Sequence, residues 1–397
     1  MNSITNQGPI KIKRGYRVWL VYIMLSCFGY TLNVAGPAAA YLRDELNLSF
    51  TESGFHTSAL ALGMVMMGLF GHSMLRKLPQ WKALALGGVG LGVGGSILVL
   101  GHQPVLTLTG LFIMGAIGSL IISTNPTILV DEMGQHSKVG VSEANTLTSI
   151  FSTLAPIAAG YFGAMAITWR PAVTIVSMLA FILGIWILIS PKFSWESKQT
   201  TTTNQIVENH KLTGAYWLFW AALVVSISIE FCIIYWASDY LQAHLAMPKG
   251  SATRWVSLFL VGMVVGRYIG SLLLQKYDRF KILIISVFVG ALGFGIFWEG
   301  GSQIVSLTGL FLAGLGVANL YASLVTLSFD AAGSARAAAG STTTLASGVA
   351  ILLLPFALGY LADLAGIRLA MLIVAGLYII LAYLILAGRK LVKIQTT

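Results

Sequence analysis

Leu108-Thr109-Gly110-Leu111-Phe112 returns as Leu307-Thr308-Gly309-Leu310-Phe311, 199 positions later. The same offset holds on both sides of that stretch. Upstream, Tyr41-Leu42 matches Tyr240-Leu241, Gly63-Met64-Val65 matches Gly262-Met263-Val264, Gly71 matches Gly270, and Lys77 and Lys82 match Lys276 and Lys281. Downstream, Asp131 matches Asp330, Gly134 matches Gly333, Pro156 matches Pro355, and Gly160-Tyr161 matches Gly359-Tyr360. Random apolar sequence gives scattered matches, not Gly, Pro and Asp in one register without an insertion. The chain therefore reads as a duplication: residues 1–190, a polar join at 191–212 that includes the run Thr200 to Thr203, and residues 213–397.

The repeated unit is built for lipid. Of 397 residues, 56% are hydrophobic and 10% charged, with mean hydropathy +0.82; a soluble domain carries about a quarter charged residues to face water. Crossing about 30 Å of hydrocarbon takes roughly 20 apolar residues as a helix, with every backbone group satisfied inside the segment. Spans are expected near 17–41, 52–75, 82–101, 104–130, 142–166 and 171–190, then 213–241, 251–275, 281–299, 303–329, 337–362 and 367–388. The fold class is an all-α membrane protein of twelve helices in two six-helix bundles. The segments lack the period-two alternation of a barrel. The first is too long for the apolar region of a cleaved signal and is followed at once by another span.

Charge sets the expected topology. With the N-terminus inside, 18 of the 24 Lys and Arg fall in cytoplasmic segments, five (Arg43, Arg170, Lys249, Arg254, Arg368) in outer loops, and Arg267 alone within a span. That asymmetry places both termini in the cytoplasm of a cell-membrane protein. The net charge of +10 is thus a topology signal and no reason to expect nucleic acid. Cys27 and Cys232 fall in different spans, as small packing residues would. The six histidines are dispersed without metal spacing, and no phosphate-binding Gly-x-x-x-x-Gly-Lys-[Ser/Thr] occurs. No catalytic set, cofactor or metal is expected, so the chain is not read as an enzyme.

Two similar six-helix halves resemble the major facilitator superfamily over essentially the whole chain. The resemblance implies two bundles around a central cavity, which rocking opens to either side in turn. The family's loop motif, Gly-x-x-x-Asp-Arg-x-Gly-Arg-Arg, is degraded in the first half, where Gly71-His72-Ser73-Met74-Leu75-Arg76-Lys77 has no aspartate. It is closer in the second, Gly270 followed by Lys276-Tyr277-Asp278-Arg279-Phe280-Lys281. The family's ion pairs at these places imply a cytoplasmic gate of Arg76, Lys77, Asp131, Asp278, Arg279 and Asp330. Glu230 to Leu241, with Gly262-Met263 and Gly266-Arg267, is locally similar to fucose-permease-like members, which points to a sugar or similar polar metabolite. Ala155-Pro156-Ile157-Ala158-Ala159-Gly160 resembles a degraded drug-antiporter motif, but its echo at Pro355 to Gly359 favours a structural bend.

Glu230 and Arg267 are the charges to explain. A carboxylate about 13 residues past Trp217 lies near mid-membrane, where it costs several kcal/mol unless protonated, paired or wet. It is expected to carry a proton. Arg267 lies about 13 Å from the boundary near Lys276 by helical rise and is long enough to pair with it; the bland alternative for both is a pin between helices. Polar residues also line single helical faces: Ser26, Tyr30, Asn33 and Pro37; Asn145, Ser149, Ser152 and Pro156; Asn319, Ser323, Thr326 and Asp330. From these and their neighbours, Tyr30, Asn33, Asn125, Asn145, Trp236, Asn319 and Tyr321 are candidate solute contacts, and interhelical bonding is the competing role. The expected function is a monomeric secondary transporter that moves a small solute with protons. The alternatives are an exporter of amphipathic compounds and a membrane sensor that no longer transports.

Overall fold

The computed structural model of the protein describes residues 14–75, 78–165, 168–190, 212–333 and 336–396. The expected join lies outside these apart from Leu212, and so do Arg76 and Lys77. The chain runs α1 (Tyr16–Leu46), α2 (Phe50–Leu75), α3 (Gln80–Leu100), α4 (Pro104–Ala116), α5 (Leu120–Met133), a 3-10 turn (Gly134–His136), α6 (Ser137–Gly163) and α7 (Arg170–Ile189). It continues with α8 (Gly214–Leu245), α9 (Lys249–Trp255), α10 (Ser257–Leu273), α11 (Arg279–Glu299), α12 (Gln303–Val317), α13 (Leu320–Ala332), α14 (Arg336–Ala365), α15 (Ile367–Ala370) and α16 (Leu372–Thr396).

Among the described residues, eleven stretches are apolar and long enough to cross a membrane, and one of them, Pro104–Gly163, has 60 residues. At 1.5 Å per residue that is about three bilayer thicknesses. It turns back at Gly134, whose φ of +53° suits a residue without a Cβ, so it makes two passes and brings the total to twelve.

The duplication reaches the backbone. α3 and α11 begin and end 199 positions apart, and the interruption between α4 and α5 recurs between α12 and α13. Positive φ falls at Asn47 and Ala246, which close α1 and α8, and at Gly134 and Gly333, each pair again 199 apart. Helix crossings repeat as well. A Cβ on Gly63 would lie 2.5 Å from the backbone nitrogen of Ala116, and one on Gly262 3.0 Å from that of Leu315. In lipid, where apolar burial does not drive helices together, such close backbone approach supplies much of the packing. Two crossings of one design therefore hold α2 on α4 and α10 on α12.

The helices α1–α7 pack mainly on one another, and α8–α16 do the same. The principal seams between these sets are α2 with α14, α6 with α9 and α10, and α1 with α8. We call the end that carries residues 47–49, 101–103 and 246–248 the loop end, and the end from which α1 starts the terminal end. Helices α1 and α8 run to Leu46 and Leu245, beyond the expected 41 and 241. The basic residues expected in outer loops therefore ride on helices: Arg43 on α1, Arg170 on α7, Lys249 and Arg254 on α9, and Arg368 on α15. Cys27 and Cys232 are free thiols, both buried.

Candidate functional site

Glu230 stands on α8 in a stretch where Ser226 to Ile229 and Phe231 to Leu241 are all buried, yet it keeps accessible surface of its own. A residue turned to lipid would share that exposure with its neighbours three and four positions away; here Ser226, Ile227, Ile233 and Ile234 are shut off. The carboxyl therefore opens onto internal space. It has no hydrogen-bond partner among the described residues. The ionisable groups that act on it electrostatically are Arg267, Tyr235 and Tyr321.

Arg267, on α10, is exposed. Its guanidinium does not close on Glu230. It crosses to α6 of the other set, where Nη1 donates to Ser149 Oγ at 2.8 Å, and Ser149 Oγ donates to the carbonyl of Asn145 at 2.9 Å. The charge pair thus acts through space, with one member anchored on the opposite set of helices. Asn145 is exposed one turn before Ser149 on α6, and Tyr321, 46% exposed, acts on Glu230 electrostatically while its hydroxyl shares a hydrogen bond with Ser347.

The other candidates divide. The Tyr30 hydroxyl donates to the carbonyl of Ala172 at 2.8 Å, and Trp236 Nε1 to that of Pro355 at 2.9 Å; both side chains are buried and tie helices together. Asn319 Nδ2 donates to the carbonyl of Gly266 at 2.8 Å, beside the interruption between α12 and α13. Asn33 Nδ2 donates to the carbonyl of Gly29 at 2.8 Å, while its Oδ1 is buried without a partner among the described residues, as is Asn125 Nδ2. Each such atom costs about 1–3 kcal/mol if nothing reaches it, which marks both amides as places for water or a solute. Many stripe hydroxyls satisfy their own helix, as Ser26 and Thr326 do with the carbonyls of Tyr22 and Ala322.

At the terminal end, Arg76 and Lys77 are outside the described residues. Asp278 caps α11 by accepting from the backbone N–H of Lys281 at 3.2 Å, and Arg279 pairs with Asp330 of α13 at 3.5 Å. Asp131 closes the matching helix α5. The Arg279–Asp330 pair joins two helices of the same set rather than bridging the sets.

The bridges lie at the other end, at residues the sequence reading left aside. Arg43 of α1 meets buried Asp239 of α8 at 2.6 Å, while its guanidinium lies 4.3 Å from the ring centre of Phe50. Lys249 of α9 pairs with Asp44 and donates to the carbonyl of Ala40 at 2.7 Å. Asp363 of α14 accepts from the backbone N–H groups of Phe50 and Thr51 at 2.8 and 2.7 Å, and from the Thr51 hydroxyl. Ser58 Oγ donates to the carbonyl of Leu352 at 2.8 Å. These contacts between the two sets gather at the loop end, so the molecule is shut there.

This arrangement has known counterparts. The Major Facilitator Superfamily profile matches residues 19–253 and 218–393. The TsgA homologue of Yersinia pestis (strain Pestoides F) is 21% identical over 311 residues, 78% of each chain, and that of Yersinia pseudotuberculosis serotype O:3 (strain YPIII) matches equally well. Among solved structures, a variant of the nucleoside transporter NupG superposes with TM-score 0.75 at 15% identity, over 94% of this chain and 99% of that one. A bacterial homologue of the human lysosomal transporter Spinster, inward-facing and unoccupied, gives 0.73 at 12% identity, over 96% and 99%. A variant of the E. coli fucose:proton symporter FucP gives 0.61 at 14% identity, over 92% and 98%.

Proposed function

This chain belongs to the major facilitator superfamily, and on that premise we propose that it carries a small polar solute together with a proton, with Glu230 as the proton carrier. The observation that carries this reading is Glu230 itself: a carboxyl group deep among helices, without a hydrogen-bond partner among the described residues, and open to internal space. A permanently charged group there is expensive, and a permanently neutral one would need no arginine nearby. A group that alternates between the two states answers both costs. The solute site is formed by Arg267, Asn145 and Tyr321 around that carboxyl, with the unpartnered amide atoms of Asn33 and Asn125 as further contacts. A sugar or similar polar metabolite suits such groups, and the fucose:proton symporter among the structural neighbours supports that class.

The two sets of helices are the moving halves, residues 1–190 and 213–397, joined through 191–212. With the basic segments inside, the terminal end faces the cytoplasm of a cell-membrane protein, and closure at the loop end is the inward-facing state. Opening outward breaks the Arg43–Asp239, Lys249–Asp44 and Asp363 contacts. The terminal end then closes, through Asp131, Asp278, Arg279 and Asp330, with Arg76 and Lys77 as the basic residues the motif pairs with them.

Reconstituted vesicles test the reading. Glu230→Gln is expected to abolish accumulation driven by a pH gradient while solute exchange across the membrane persists. Accumulation by Glu230→Gln at the wild-type level would falsify the proton role.

One feature favours the amphipathic-compound reading. An open apolar groove of about 540 Å³ lies between α2, α4 and α14, lined by Phe55, Leu62, Phe112, Leu353 and Phe356 among others. It does not include Glu230 or Arg267. Resistance to amphipathic cations conferred by expression of the chain, and lost with Phe356→Asp, is the outcome that would support it.

A further inference from the structure

We propose that the polar solute of this site is a hydroxylated monoanion, a carboxylate carried with one proton, and that Arg267 holds its charge. The proposal rests on the reading of Glu230 as the proton carrier. Its starting point is the charge balance of the interior. At the level of Ser149, Glu230 and Arg267 are one acid and one base. Of the other charges between the sets, Arg43 with Asp239 and Lys249 with Asp44 are paired at the loop end, and Asp363 is exposed there on the first turn of α2, outside the occluded interior.

With Glu230 ionised, the empty site is neutral overall, and the halves can close around it without carrying net charge into a low-dielectric interior. A proton on Glu230 leaves Arg267 uncompensated. Its bonded neighbour Ser149 is a neutral acceptor and cannot offset a full charge. A neutral sugar entering with that proton leaves a bare cation in the occluded protein, the arrangement that desolvation penalises most. A monoanion restores neutrality. A cation doubles the imbalance, and a dianion reverses it. Both strokes of a cycle, loaded with proton and anion or empty with Glu230 ionised, then cross the occluded state uncharged.

Geometry agrees with the charge count. A guanidinium presents five N–H donors in a planar fork that matches a carboxylate. Among the described residues, Arg267 uses its Nη1 on Ser149, and the exposed side chain keeps the rest of the fork available. Ser149 meets it directly, exposed Asn145 lies one turn away on α6, and exposed Tyr321 acts on Glu230; such groups meet hydroxyls, which is why the anion is a hydroxylated one. The ionisable groups acting on Glu230 are Arg267 from α10, Tyr321 from α13 and Tyr235 from α8 itself. Among the described residues, no charged side chain of α1, α9, α14 or α16 acts on it. Protonation of Glu230 is therefore felt mainly by Arg267 and by what it binds.

The test uses the purified full chain and matched probes differing in one acid group: D-gluconate with D-glucose, D-galacturonate with D-galactose, and L-lactate with propane-1,2-diol. Melting temperature is followed against ligand concentration between pH 5 and pH 8. We expect the acid of at least one pair to stabilise the wild type and its neutral partner not to. Apparent affinity should weaken about tenfold per pH unit once Glu230 is ionised, because one proton is taken up with the anion. Glu230→Gln should keep acid binding and lose the pH dependence, and Arg267→Gln should lose acid binding while melting unliganded within a few degrees of wild type. Stabilisation by a neutral sugar as strong as by its acid overturns the monoanion and leaves the transport reading standing. A panel in which neither series moves the melting temperature overturns both.

Discussion

At the scale of single residues, the closed end rests on two charge pairs of opposite sense. α1 offers Arg43 and Asp44, and the second set answers with Asp239 and Lys249. Asp239 has 2% of its side chain accessible and Arg43 15%, so neither charge is left to water when its partner goes. Removing one member of a buried pair typically costs about 3–5 kcal/mol, whereas replacing both by apolar groups is often neutral. Asp239→Asn is therefore expected to disfavour loop-end closure by about that amount, a factor of a hundred or more, while Arg43→Met with Asp239→Leu restores it. The measurement is the labelling rate of a cysteine placed at Ala35, which is 1% exposed and adjoins Gly36, itself packed on Tyr235 of α8. Equal labelling in Asp239→Asn and wild type would remove the pair from the gate. Glu230 and Arg267 are legible in the sequence because charge deep in an apolar span is conspicuous. Asp239 sits near the end of a span, where a carboxylate draws no notice. The signal was present in the repeat: 239 is the counterpart of Ala40, at the depth of Arg43, so opposite charges face each other at one level on paired helices.

At the scale of elements, the duplication told most of what the structure holds, since the bounds of α3 and the turn at Gly134 carry over to α11 and Gly333 without adjustment. The interruptions at Ile117–Ser119 and Ala318–Asn319 were not legible. They contain no proline, a lone Ser119 or Asn319 in an apolar run does not mark a break, and the chain regains hydrogen bonds at once, with the Ser119 N–H reaching the carbonyl of Gly115. Also invisible was a cap supplied from another element. The first turn of α2 has N–H groups with no partner in their own helix, and Asp363 of α14 takes two of them. A capping carboxylate contributes about 1 kcal/mol, and here it contributes only while the loop end is shut. Asp363→Ala should therefore raise labelling at Ala35→Cys about fivefold without changing the helical content. The matching position 199 residues earlier is Ala164, packed on Gly250 at the other seam. Ala164→Asp should not substitute for the lost cap. Rescue by Ala164→Asp would show that the carboxylate acts through general surface charge.

At the scale of the whole molecule, the proposed cycle requires one rigid-body step that opens what those contacts close. Each set is internally locked by backbone crossings, such as Gly63 on α4 and Gly262 on α12, which leave no room for a side chain. The seams between sets combine ion pairs, a borrowed cap and single hydrogen bonds with close packing of their own, as where a Cβ on Gly160 would run into the carbonyl oxygen of Gly250. Of these, the polar contacts are the ones that water can replace when halves rock about a central site. Thr51 and Asp363 touch across the seam, so a Thr51→Cys, Asp363→Cys chain joined by a short thiol cross-linker is expected to lose net transport entirely and to recover it on reduction. Solute should still reach the site from the terminal end, so the cross-linked protein should bind with an affinity within a few fold of the free one. Loss of binding along with transport would mean that the loop end is the way to the site in this state, and the assignment of the closed face would have to be reversed. Transport unaffected by the cross-link would show that these seams do not part during the cycle, leaving Glu230 and Arg267 with no route by which their charge balance could be exchanged between the two sides.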